Sequence, residues 1–365
     1  MEKHQLIGSE VSLYTGKLRC YLDYKAIPYE EVLSTANVFK EVIVPRTGVR
    51  YIPILITDDD VALQDTTEII DFLEKRYPEH SVYPATPLQN LVSLLFEVYG
   101  DEWLVIPAMH YRWSFQENID FARGEFGRTS APELNQEQRY EMGKELSKPF
   151  AGALPRLGVN EATIPGVEKS YTALLSELNA HFSEHAYLLG DRPCMGDLGL
   201  IGPLYAHLYR DPYSGRMMEE LAPAVVAWVK RMVKPTPQSG DFYDQDQVLP
   251  TLLPILARMV KEQGPVLEQT IQQVEAWAAN NSESEIPRAI GNCQFTLEGV
   301  EGERLTFPYM QWMWQRVYDF YHALNSDQKE SVDQQLQSVE GLKALLDTPI
   351  KQRVERVENK LLVVR

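Results

Sequence analysis

Three consecutive aspartates, Asp58-Asp59-Asp60, separate two short apolar runs at 52–57 and 61–64. Acidic residues bond their own backbone in tight turns, so the two runs are expected to pair as an antiparallel hairpin. Upstream, the spacing predicts a strand near 5–9, a helix near 15–26, a strand near 29–33 and a weak helix near 36–43; a helix at 66–77 follows the hairpin. A strand–helix–strand crossover requires parallel pairing, whereas the hairpin is antiparallel. The front of the chain must therefore be a mixed sheet covered by helices.

The order βαβ then ββα is the thioredoxin-like plan, and we assign it residues 1–80. Periodicity is lost around Tyr77-Pro78-Glu79-His80, and Pro84-Ala85-Thr86-Pro87 makes a stiff linker. From 88 to 232 the apolar spacing is helical, with breaks expected at 114–135 and 155–166, so a second, all-helical domain is predicted. Residues 234–247 are rich in Pro and Asp and read as a surface connector. A mainly helical extension over 248–365 is expected to hold helices near 249–262, 265–280, 308–324 and 327–346, with a possible β-hairpin at 292–307 and a charged tail. The fold class is thus α+β followed by all-α.

Among the 365 residues, 52 acidic and 35 basic side chains leave a net charge of −17, with no local basic patch. That balance repels nucleic acid and anionic membrane surfaces. The first residues lack a secretion-signal pattern and no apolar stretch is long enough to span a bilayer, so no membrane insertion and a cytoplasmic location are expected. Cys20, Cys194 and Cys293 fit neither a disulfide framework nor a zinc site. Cys20, on the inner face of its helix, reads as packing. GxGxxG, HExxH, GxSxG and CxxC are absent. Thr15-Gly16-Lys17-Leu18 fails as a phosphate loop because Val11 and Leu18 stand at the required glycine and hydroxyl positions. No metal or nucleotide is implied.

Two stretches carry candidate chemistry. A proline before a strand, as Pro53 is, suits a cis bond that would turn the Ile52 backbone outward, where its N–H and C=O can pair with an extended peptide. Thr66 opens a helix, so its hydroxyl and the free N–H groups of the first turn can hold a carboxylate, and Asp65 beside it can hold an ammonium group. Each feature taken alone is also ordinary structure: a strand-edge proline and an N-cap. In order, Tyr51-Ile52-Pro53-Ile54-Leu55 and Leu63-Gln64-Asp65-Thr66-Thr67-Glu68 resemble the glutathione site of the glutathione-transferase superfamily. The resemblance extends over roughly residues 5 to 232.

The resemblance implies that Ile52, Pro53, Asp65 and Thr66 bind glutathione as co-substrate, with Lys40 and Arg50 meeting its glycyl carboxylate. The segment Ser12-Leu13-Tyr14-Thr15-Gly16-Lys17-Leu18-Arg19 is similar to the family's catalytic turn and puts Ser12 at the serine or cysteine position. It departs from the pattern where Leu13 replaces a proline and Gly16 loosens the helix start. A hydroxyl there would stabilise the glutathione thiolate with help from the helix dipole. Tyr14 is the rival for that role, Thr15 comes third, and simple capping by all three is the structural alternative. A cysteine would have pointed to disulfide exchange instead.

Farther on, Cys194-Met195-Gly196-Asp197 resembles the family's capping box with the serine replaced, which weakens the reciprocal bond. A helix through 101–113, kinked at Pro107, would face the cleft in the family. Trp103, Met109, His110 and Trp113 on it could line a pocket for a small hydrophobic electrophile, or belong to the core. The aromatic residues Tyr309, Trp312, Trp314, Tyr318 and Tyr321 are expected to pack the extension onto the second domain, with a lid over the cleft as the alternative. The family implies a homodimer and detoxification by alkyl or aryl transfer to sulfur. A non-catalytic binding or scaffold protein, and a glutathione-dependent isomerase or dehalogenase, are the alternatives.

Overall fold

Strand β1 (His4–Gly8) runs parallel to β2 (Tyr29–Leu33) and antiparallel to β3 (Ile54–Ile56), which pairs with β4 (Ala62–Gln64) to give the order β2-β1-β3-β4. This is a computed structural model, and it describes residues 3–365. The pleat divides the apolar residues between two faces. Leu6 and Leu55 point into the main core with helices α1 (Leu13–Tyr24) and α4 (Thr66–Arg76). Ile7, Ile54 and Ile56 point the other way, onto Ile43 and its neighbours. That second cover is α2 (Ala36–Val38), a π-helical turn at Phe39–Ile43 and α3 (Val44–Thr47), where a weak helix over 36–43 was expected.

The helical part follows as α5 (Pro87–Val98), a π-helical turn (Tyr99–Trp103), α6 (Val105–Ser114), α7 (Gln116–Ser130) and α8 (Gln136–Ala151). Then come α9 (Ile164–Glu184), α10 (Met195–Ala206), α11 (Pro212–Leu221) and α12 (Pro223–Val233). Two sequence expectations are corrected here. Pro107 does not kink its helix, because it is the third residue of α6, where its missing N–H has no intrahelical acceptor to lose. The axis breaks instead at the preceding π turn, where α10 comes so close that a Cβ on Gly100 would lie 2.4 Å from the Gly199 carbonyl. The break expected over 114–135 is mostly the helix α7. Its Gly127 and the Gly143 of α8 are contact points, since a Cβ on either would lie 1.8 Å from a carbonyl of the opposing helix.

Past the connector, α13 (Leu253–Asn280) runs unbroken through Pro265, so the two predicted helices are one. Pro265 and Lys261, whose carbonyl loses its i+4 donor, both lie on the exposed face, where water can take the bond. Strands β5 (Asn292–Leu297) and β6 (Val300–Leu305) form the expected hairpin, turning at Glu298-Gly299, both with positive φ. Helix α14 (Tyr309–Ala323) follows, and the single helix predicted over 327–346 is divided at Gly341, φ 82°, into α15 (Ser326–Leu336) and α16 (Leu342–Leu346). The tail is not merely charged: β7 (Val354–Val357) and β8 (Lys360–Val363) make a second hairpin through Glu358-Asn359, φ 50° and 64°.

One apolar core runs through the front sheet, the helices and the extension. The last hairpin sits on a small separate cluster of Val274, Ala278, Ile286, Val354 and Val363. Among the described residues no helix is long and apolar enough to cross a membrane, and no group of His, Cys, Asp and Glu is placed to hold a metal.

Candidate functional site

The candidate site lies where the carboxyl ends of β1 and β4 lead into the amino ends of α1 and α4. The Ile52–Pro53 peptide bond is cis. Ile52 is half-buried, and among the described residues no group is hydrogen-bonded to its backbone N–H or C=O. At the next turn Asp65, rather than Thr66, is the N-cap of α4: its Oδ1 accepts from the N–H of Thr67 at 3.0 Å and of Glu68 at 3.3 Å. Thr66 is the first helical residue and is buried. Asp65 holds φ 82° and ψ 125°, a conformation that a non-glycine residue adopts at a cost and that concentrates at binding sites.

Ser12 is the N-cap of α1, and its Oγ accepts from the Thr15 N–H at 3.3 Å. Its own O–H hydrogen is left to donate elsewhere. The Tyr14 hydroxyl, by contrast, donates to the Asp101 carbonyl at 3.1 Å. Burial, and then the charges of Glu102, Asp101 and Asp65, push Tyr14 well above the usual phenol range, so it stays protonated. Thr15 is buried and its Oγ1 accepts from the Ser9 N–H.

Two buried cations fix this corner to the helical domain. Lys17 on α1 reaches Glu97 at 3.0 Å and Asp101 at 2.5 Å. Burial disfavours its ammonium form, but the two carboxylates outweigh that and hold it charged. Burial raises Asp101 to about 7, with Lys17 opposing, and Glu102 to about 8. Arg112 pairs with both oxygens of Asp211 at 2.7 Å and donates to the Val11 carbonyl at 2.8 Å, directly before Ser12. Its helix neighbours His110 and Trp113 are candidates in the sequence and Arg112 is not, although a lone arginine in an apolar helix is a signal of a buried pair.

The proposed pocket residues are not brought together. Trp103 donates to Glu262 of α13 at 3.3 Å and meets Phe295 edge-on. His110 is bonded to Glu168 at 3.0 Å and Ser114 at 2.9 Å, and burial keeps it neutral by lowering its pKa. Trp113 packs on Phe126 of α7, and Met109 is in the main core. All four are buried and face different neighbours. The space beside Trp103 is a cavity of about 10 Å³, too small for an organic substrate. Lys40 and Arg50 are exposed, Arg50 lying over the Phe39 ring at 6.0 Å.

The extension reaches the groove itself, which none of the front-domain motifs signalled. The Tyr309 hydroxyl of α14 donates to Asp65 Oδ2. Arg356 of β7 donates to Glu68 at 2.6 Å and to Gln64 Oε1 at 2.7 Å, and lies 3.7 Å from Asp65. Arg288 stacks over Tyr51 at 5.4 Å. In the second domain Cys194 does complete the capping box: its N–H donates to Asp197 at 3.0 Å, and Asp197 also takes the Trp228 N–H at 2.9 Å.

Sheet and helices together define a thioredoxin-like domain followed by a mostly helical region. Residues 6–81 match the family model for the glutathione S-transferase N-terminal domain, and that domain belongs to the glutathione S-transferase superfamily. The beta-etherase LigF from a Sphingobium species is similar in structure, at 17% identity and a TM-score of 0.47, covering 65% of this chain and 97% of its own. So is the Tau class glutathione S-transferase of mango, at 16% identity and a TM-score of 0.42, covering 65% and 90%. A glutathione S-transferase from Methylobacterium radiotolerans, solved with glutathione sulfonate, is 18% identical with a TM-score of 0.38, covering 67% and 99%. No curated protein matches the sequence.

Proposed function

We propose that the front groove binds glutathione and that the protein uses its thiolate on a small electrophile. The observation that carries the reading is the unpaired Ile52 backbone beside the cis proline, next to a helix start whose Asp65 can receive an ammonium group. The tripeptide would add as a strand on Ile52, and its γ-glutamyl end would lie at Asp65 and Thr66. Lys40 and Arg50 are the cations assigned to its glycyl carboxylate. Ser12 is the thiolate donor favoured here, because its hydroxyl hydrogen is uncommitted while that of Tyr14 is bound to Asp101. The positive end of α1 adds to that stabilisation. Calorimetric titration with reduced glutathione, followed by turnover of alkyl and aryl halides, epoxides and enones, tests it. Absence of binding would end this reading.

A second reading, a binding protein without catalysis, is favoured by one observation: Tyr309 and Arg356 already bond Asp65 and Glu68, the acids beside the γ-glutamyl end of the proposed site. Glutathione binding without turnover of any electrophile would select it.

A further inference from the structure

We propose that the carboxy-terminal hairpin β7–β8 is an internal occupant of the glutathione groove, with Arg356 standing where the ligand's ammonium would be. The proposal rests on the groove being a glutathione site. The recess offers a carboxamide oxygen from Gln64 and two carboxylates from Asp65 and Glu68. All three are turned on the Arg356 guanidinium, whose side chain is only 5% exposed and lies over the Trp312 ring. Asp65 Oδ1 is filled by the two N–H groups at the start of α4, and Oδ2 takes the Tyr309 hydroxyl, which leaves one Oδ2 lone pair for a cation.

A γ-glutamyl ammonium brings the same single positive charge to the same acceptors. Two cations a few ångströms apart repel strongly in a partly buried site, so ligand and hairpin exclude one another. The hairpin is also the part of the extension suited to leaving. Its apolar residues Val354 and Val363 rest on the small separate cluster rather than on the main core. Its other polar tie to the front domain is the Asn359 amide donating to the Thr47 carbonyl at 2.9 Å. The edge of β8 is held to 284–286 by the Ile286 N–H to Leu361 and the Val363 N–H to Ser284. The base of the hairpin is anchored on α14, where Gln315 accepts from the Val354 N–H at 3.0 Å and donates to the Val354 C=O at 2.7 Å and Arg353 pairs with Asp319, so it is the outer end, 356–361, that swings away from the sheet domain without opening the main core.

The test compares the full-length wild type with Arg356→Ala and Asn359→Asp, each checked for native circular dichroism, by titration with reduced glutathione. Each variant should bind at least about tenfold more tightly than wild type, because the competing state has lost an anchor. Hydrogen exchange at 354–363 of the wild type should rise when glutathione is added. Equal affinity in all three proteins, with exchange at 354–363 unchanged by the ligand, overturns the occupant model and leaves the glutathione reading standing. No binding by any of them overturns the glutathione reading, and the occupant model falls with it. The Asn359→Asp protein decides the matter if Arg356→Ala does not fold.

Discussion

Replacing Lys17 by methionine tests how the amino end of α1 is held against the helical domain. The ammonium is fully buried and serves two carboxylates that are 1% and 4% exposed, Glu97 and Asp101. Without it Glu97 keeps the Thr67 hydroxyl at 2.7 Å and Arg316 at 3.8 Å, whereas Asp101 Oδ2 loses its partner and Oδ1 already has none. Breaking one side of such a pair costs about 3–5 kcal/mol. Asp101 sits at about 7 in the native protein, above its ordinary value. The native state therefore binds its proton more readily than the unfolded chain, and this group removes stability as pH rises from about 4 to 7. In the variant the carboxyl moves higher still, so the deficit relative to wild type should widen by up to about 1.4 kcal/mol per pH unit above 7. Denaturant melts followed by tryptophan fluorescence at pH 6 and pH 8.5 measure both effects. A loss under about 1 kcal/mol, or the same loss at the two pH values, would show that the Lys17 cluster does not carry the charge burden assigned to it.

Ser12→Ala should lower turnover while leaving the dissociation constant for glutathione near wild type; unchanged turnover would transfer the thiolate contact to Tyr14. Asp65→Ala removes both the ammonium acceptor and the cap of α4. Glutathione affinity should fall by about 1.5–3 kcal/mol and stability by about 1 kcal/mol, read by calorimetry and by thermal melting. Arg112→Met strands the buried Asp211 and frees the Val11 carbonyl beside Ser12. A stability loss of about 3–5 kcal/mol is expected, and a variant as stable as wild type would refute the assignment.

The front domain was legible because short-range rules decide it. The triple aspartate turn, the crossover helix and the alternation of Leu6 with Ile7 all act within a few residues, and β2 falls on the predicted span 29–33. The errors arise where distant segments rewrite local preference. Gly127 and Gly143 look like helix breakers in sequence but are needed for α7 and α8 to touch. Pro265 is tolerated because of which face it lies on, which no propensity reports. The β7–β8 hairpin escaped notice because four-residue strands alternate too briefly to stand out. Its turn is Glu358-Asn359 with no glycine, although asparagine tolerates the left-handed conformation that such turns require.

The groove shows the same division between near and far. Ile52, Asp65 and Thr66 are assigned from neighbours in sequence, whereas Tyr309 and Arg356 reach Asp65 and Gln64 from 244 and 292 residues away. No motif spans such a distance, and an arginine in a charged tail looks like any solvated arginine. Covalent connection changes what that arginine can do. A tethered guanidinium acts at an effective concentration on the order of millimolar, so even a weak set of contacts competes with a free peptide at comparable concentration. Close competition would therefore require no tight closure of the groove. It would require only that the ion pairs of Arg356 and the Asn359 bond be similar in strength to those glutathione makes with the same edge.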